Sequence, residues 1–221
     1  MFIGHFAVGL ASKRVAPRAS LGMLMAAPNL LDLLWPIFLL LGWEQVRIDP
    51  GNTAFTPLDF VSYPITHSLL TSCGWGMLFG LVYWLVTRYA RGAVVIALGV
   101  MSHWVLDFIT HRPDLPLYPG GPRVGLGLWN SVPATIAVEV AMYAAGAWLY
   151  LSMTRTRDRA GSYALWGFLA FGLLAYIGNI LGPPPPSRQV IAIAALALWL
   201  VPVWAWWIDR HREIRLHSPL P

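Results

Sequence analysis

Polar and charged positions in this chain gather in connectors, and the apolar runs between them have one recurring length. Stretches of roughly 20 mostly apolar residues carry a helix across a bilayer core about 30 Å thick. They lie at Ser20–Gly42, Ile65–Thr87, Gly92–His111, Ser131–Met153, Tyr163–Gly182 and Gln189–Asp209. The apolar stretch Met1–Ser12 is too short to span, and no basic residue precedes it, which argues against a cleavable signal peptide. It predicts a short amphipathic or re-entrant helix. The expected fold is therefore all-α: a polytopic membrane helix bundle of six spans plus that short helix, one membrane domain over residues 1–221. Spans five and six carry no acid or histidine in their apolar cores, so residues 154–221 are expected to supply two packing helices and a basic tail, leaving the chemistry to residues 1–153.

Composition strengthens this picture. Hydrophobic residues make up 57% of the chain and charged ones 11%, where a soluble domain carries roughly 25% charged. The mean hydropathy is +0.59 and there are 12 Trp, a residue favoured at membrane interfaces. A soluble globular domain, a disordered chain and a coiled coil are excluded. A net charge of +5 and a pI near 9.7 raise the possibility of nucleic-acid binding, but the bases follow the connectors. Lys13, Arg14, Arg18, Arg88, Arg91, Arg155, Arg157, Arg159, Arg210, Arg212 and Arg215 fall on one set of alternate connectors, and Arg47, Arg112, Arg123 and Arg188 on the other. Eleven of the 15 bases thus mark one side, which the positive-inside rule assigns to the cytoplasm. Both termini are expected there, and no nucleic-acid partner is implied. The connectors Trp43–Pro64 and Arg112–Asn130 then face outward, with Pro and Gly content that predicts turns rather than helix. The single cysteine, Cys73, excludes an intrachain disulfide and a zinc site built on several thiolates. Any metal must use histidines and carboxylates.

Such groups stand where a membrane segment normally avoids them. Asp32, Asp107 and Glu139 lie inside apolar stretches, where an ionised carboxylate costs roughly 2.5–3.5 kcal/mol on insertion scales. His67 and His103 are the candidate partners, because no Lys or Arg lies within the spans. At ~1.5 Å rise per residue, Asp32, His103 and Asp107 lie about 18, 17 and 23 Å from the cytoplasmic side, and Glu139 lies about 12 Å in from the outside. Four polar groups converge near one depth, with His67 expected at the outer rim of the same cavity. In SHWVLDFITH the residues His103, Asp107 and His111 are four apart and share one helix face. A His and an Asp so spaced can present a nitrogen and an oxygen to one divalent cation, zinc above all and manganese or iron as well, or simply hydrogen-bond each other. Asp49 and Asp59 read as solvated loop acids. His211 and His217 belong to the basic tail.

Five segments together, GHFAVGL, PNLLD, ITHSLL, SHWVLDFITHRPD and LPLYP, resemble a family of bacterial inner-membrane metal-dependent hydrolases, some described as LexA-binding. The resemblance covers about residues 1–120. It implies a metal-binding set of His5, Asp32, His67, His103 and Asp107, and hydrolase activity in the bacterial inner membrane. Three features depart from the family pattern: Asn29 replaces the first acid of its PDxD motif, Asp32 falls one residue later than the pattern has it, and SYP at 62–64 replaces the HRG that often precedes THS. A metal so held would activate water, Glu139 or Asp114 would take its proton, and His111 and Asp114 would hold a polar headgroup at the rim or merely cap the span. Glu139 could equally hydrogen-bond a neighbouring helix. The leading expectation is hydrolysis of an ester or phosphoester in a lipid-like or envelope substrate, among membrane lipids. An ion- or proton-coupled transporter and a partner-binding protein without catalysis, its partner on the cytoplasmic face, are the alternatives.

Overall fold

Six helices long and apolar enough to cross a membrane form the body of the computed structural model, which describes residues 1–215. His217 lies outside the described residues. In chain order the elements are α1 (Ile3–Val15), α2 (Leu21–Leu40), β1 (Gln45–Ile48), β2 (Leu58–Ser62), α3 (Pro64–His67), α4 (Leu69–Thr87), α5 (Ala90–Thr110), β3 (Leu115–Pro116) and β4 (Arg123–Val124). After a 3-10 turn at Leu128–Asn130 come α6 (Val132–Met153), β5 (Thr154–Thr156), α7 (Arg159–Leu181) and α8 (Arg188–Leu196). A second 3-10 turn, Ala197–Trp199, leads into α9 (Leu200–Arg210), and β6 (Arg212–Ile214) follows.

Local chemistry starts the helices where the apolar runs begin. The hydroxyls of Ser20, Ser68 and Ser187 and the carboxylate of Asp158 each accept a backbone N–H of the first turn of α2, α4, α8 and α7, satisfying donors that have no partner within the helix. Two expected spans are interrupted. The stretch Ile65–Thr87 breaks at Ser68, whose backbone is extended (φ −80°, ψ 151°). That break leaves His67 on the separate turn α3. The last span is α8 and α9 joined by the 3-10 turn. The two long connectors are also more ordered than turns alone: β1–β2 and β3–β4 are antiparallel ribbons over one end of the bundle. A third ribbon, β5–β6, closes the opposite end.

The short N-terminal helix is not an amphipathic helix lying on the surface. Residues from all sides of α1, including Ile3, His5, Phe6, Ala7 and Leu10, are buried, and the helix packs against α6, α2 and α5. Gly146 of α6 permits this: a Cβ there would lie 2.5 Å from the carbonyl oxygen of Ala7, so only glycine lets the two backbones approach this closely. Lys13, at the other end of α1, pairs with Asp209 of α9 at 2.7 Å and donates to the Ala19 carbonyl at 2.8 Å. The same Asp209 carboxylate accepts the Leu21 N–H at the start of α2. One buried ammonium thus joins three helices. With α1 in the middle, one apolar core forms around it from α2, α6, α7 and α9. A second lies between α2 and α5, and a third lies beneath the β1–β2 and β3–β4 ribbons.

Candidate metal centre

The five residues expected to form a metal-binding set come together inside the bundle. Asp32 comes from α2, His67 from α3, His103 and Asp107 from α5, and His5 from α1. His67 Nε2 lies 3.2 Å from His103 Nε2 and 3.4 Å from Asp32 Oδ1. His103 Nε2 lies 3.0 Å from Asp107 Oδ2 and 3.8 Å from Asp32 Oδ1, and His67 Nε2 lies 3.8 Å from Asp107 Oδ2. Because the chain breaks at Ser68, His67 occupies the centre of the cluster rather than its rim.

The outer nitrogens of the rings determine what the inner ones can do. His103 Nδ1 donates to the Pro28 carbonyl at 2.8 Å. Glu44 accepts the backbone N–H groups of Ile65 and Thr66 on one oxygen and the Thr66 hydroxyl on the other. Since the hydroxyl proton goes to the carboxylate, His67 Nδ1–H must be the donor in its 2.6 Å bond to Thr66 Oγ1. His111 Nδ1 donates to Asp114 Oδ1 at 2.9 Å. In the neutral rings, three Nε2 lone pairs therefore face the carboxylates of Asp32 and Asp107 with no proton between them.

Five acceptors facing one another are what a cation site requires. A tetrahedral ion with bonds of 2.0–2.2 Å has ligand-to-ligand edges of about 3.3–3.6 Å, and five of the six pairs among Asp32, His67, His103 and Asp107, all but Asp32 with Asp107, run from 3.0 to 3.8 Å. Two ligand groupings are present, His5–His103–Asp107 and Asp32–His67–His103. They share His103, whose only free nitrogen is Nε2. These buried groups can therefore hold a metal ion, and the shared nitrogen favours one ion over two.

His5 joins through the other carboxylate oxygen. Its Nε2 is 3.2 Å from Asp107 Oδ1, and its ring stacks on His103 with centroids 3.9 Å apart and planes within 4°. The Met1 amine also contacts Asp107 Oδ1. With one oxygen occupied in this way, the other is directed at His67, His103 and His111. Counting rise from Lys13 leaves His5 short of this level, but α1 passes through the core.

Glu139 takes a different place from the one its depth suggested. Its Oε2 accepts the N–H groups of Phe2 at 2.7 Å and Gly4 at 3.2 Å, so it anchors the start of α1. It does not line the cavity beside the cluster. The bonded partner is the one α6 meets where Gly146 brings α1 against it. His111, by contrast, lines that cavity, with Nε2 3.8 Å from Asp107 Oδ2. Asp114, which fixes its ring, also accepts the Tyr63 hydroxyl at 3.0 Å and Arg112 Nε at 3.2 Å. Asp59 is likewise not a solvated loop acid. It is buried, paired with Arg47 across the β1–β2 ribbon and with Arg112; Asp49 is exposed.

A cavity of about 360 Å³ opens onto this cluster. Asp32, His67, Asp107 and His111 form its polar floor, with Trp35, Phe55, Phe60 and Trp129 around them. The Asp32 side chain is 33% exposed, far more than the 3% of Asp107, so Asp32 is the open side of the cluster. The far wall comes from α7 and α8. These two helices do more than pack, which their lack of acids and histidines did not reveal. Glu44, Thr66 and Tyr63 were also missed. Thr66 lay within the THS motif, but nothing in the pattern of positions near residue 44 links it to that motif.

No family model, curated protein or solved structure matches the chain. Its functional reading rests on the site.

Proposed function

We propose that this chain is a membrane-embedded, metal-dependent hydrolase that cleaves an ester or phosphoester of a lipid-like substrate. The observation that carries the proposal is the set of imidazole lone pairs facing two buried carboxylates at the floor of an apolar cavity. Asp32, His67, His103 and Asp107 would hold one divalent ion. Two nitrogens and two carboxylates suit zinc and also accept manganese. Such an ion supplies Lewis acidity, polarising a carbonyl or phosphoryl oxygen and making a bound water more acidic.

The chain's own residues do the rest. His5 holds Asp107 through Oδ1, and the Glu44–Thr66 pair keeps the proton of His67 on Nδ1, so that both metal-facing atoms are oriented before anything binds. His111 Nε2 accepts the proton of the attacking water, while Asp114 retains the Nδ1 proton and stabilises the imidazolium that forms. The same nitrogen then returns the proton to the leaving oxygen. Trp129 and Phe60, whose rings lie 4.2 and 4.8 Å from that of His111, keep bulk water from this exchange.

The resemblance of the GHFAVGL, THSLL and SHxxxD segments to inner-membrane hydrolases supports the same reading. In this reading the membrane is a bacterial inner membrane, with the base-rich end of the bundle in the cytoplasm and the site in the outer half. The purified protein is expected to carry about one equivalent of zinc or manganese by elemental analysis, lost in His103→Ala and Asp107→Ala. A wild-type protein that is metal-free, refuses added metal and keeps full stability would overturn the proposal.

A further inference from the structure

The cavity has two unlike ends. Its floor is buried and carries the histidines and carboxylates. At its mouth Phe171 and Asn179 of α7 and Ala194 and Ala197 of the α8 wall are exposed. Although α7 and α8 are consecutive, they diverge beyond the proline run at 183–186: α7 packs along α9, and α8 along α2. Alanines on α8 and the turn after it leave the gap unfilled.

The mouth lies along the sides of two apolar helices rather than among the connectors. From Phe171 to Asn179 it extends about 12 Å along α7, so it opens onto the lateral face of the bundle and is continuous with the apolar surface there. Phe171, Leu174 and Ile193 around it are exposed. An occupant must therefore be apolar where it leaves the protein and polar where it meets the floor. The volume, about 360 Å³, is near the lower end of the roughly 300–1,000 Å³ typical of ligand pockets. That admits an ester and the nearer part of one chain, but not both chains of a lipid.

We propose that a membrane glycerolipid enters sideways between α7 and α8, with one acyl chain in the cavity and the other left in the bilayer. This names the substrate class of the hydrolase proposed above and rests on that reading for the fate of the lipid, but not for its binding.

The test uses the full chain in vesicles of phosphatidylethanolamine and phosphatidylglycerol, with a trace of phosphatidylethanolamine bearing a diazirine in one acyl chain. After illumination, adducts are mapped by peptide mass spectrometry, and zinc and manganese are measured on the same sample. Adducts are expected on Phe55 and Trp129, which are buried and which no acyl chain reaches without occupying the cavity. Ala194→Trp, with Ala175→Trp as a second variant, should lower labelling of Trp129 about tenfold, what excluding two methylenes costs. Adducts confined to outward-facing residues such as Leu85 and Leu174, or Trp129 labelling unchanged in both folded variants, would overturn lateral access. Labelled Trp129 in a protein that takes neither zinc nor manganese would keep the portal and refute the hydrolase. A zinc-loaded protein without Trp129 adducts would do the reverse.

Discussion

Replacing Thr66 by valine tests whether the site is built from its outer bonds inward. Thr66 is fully buried, and valine nearly matches its shape, so the change removes one hydroxyl. Two bonds go with it: the 2.7 Å donation to Glu44 Oε2 and the 2.6 Å bond that holds the proton on His67 Nδ1. Glu44 still accepts the Ile65 and Thr66 N–H groups on its other oxygen, so α3 keeps its start. The first loss leaves a buried acceptor unpaired and should cost about 1–3 kcal/mol of stability. The second frees the imidazole to move its proton to Nε2, where it blocks the metal-facing lone pair. Loss of such a partner typically lowers metal affinity about 10–100-fold. Zinc affinity is read by competition with a chromophoric chelator in detergent micelles, and stability by thermal melting of the same samples. Thr66→Ser restores the hydroxyl and should restore both quantities. Wild-type zinc affinity in a folded Thr66→Val protein, or no recovery in Thr66→Ser, would refute the tautomer argument.

Other substitutions probe separate parts of the structure. His111→Gln should keep the bound metal by elemental analysis, yet lower kcat on a fluorogenic glycerophospholipid in mixed micelles about 10²–10⁴-fold, the usual loss for a missing general base. Lys13→Met leaves the Asp209 carboxylate, 19% exposed, without its ion partner and should cost about 3 kcal/mol in denaturation experiments. Lys13→Met/Asp209→Asn, which keeps an acceptor for the Leu21 N–H, should recover most of it. Asp158, at the start of α7, is held below the ordinary carboxylate pKa, first by its hydrogen bond from His211 and then by the Gly161 N–H. Its contribution to stability is therefore present above about pH 4 and lost as pH falls through the lowered native value. Melting temperatures of Asp158→Asn against wild type should differ at neutral pH and converge in acid.

Much of this protein follows from one-dimensional facts. An apolar run of about 20 residues has few stable arrangements other than a helix satisfying its own backbone, so the positions of the spans were readable from the sequence. The cost of an acid in such a run made Asp32 and Asp107 conspicuous, and the four-residue spacing made His103 and Asp107 neighbours before any folding. The burial of α1, the break at Ser68 and the placement of His5 were not readable in this way. Each depends on which surfaces meet: a glycine on α6 opposite Ala7, an extended residue between α3 and α4, and a loop acid, Glu44, 22 positions before the threonine it binds. Depth alone put Glu139 at the chemistry, but depth does not specify direction, and the backbone of α1 claimed it first. Spans five and six looked inert because their contribution is shape: small side chains on diverging helices create a space, and space between elements has no counterpart in the order of residues. The sequence determined where the long apolar helices lie and which buried charges need partners. Only the tertiary structure decided which partners those charges found, which ring nitrogens remained free, and where a cavity opens beside them, because these are distances between segments that the chain order leaves open.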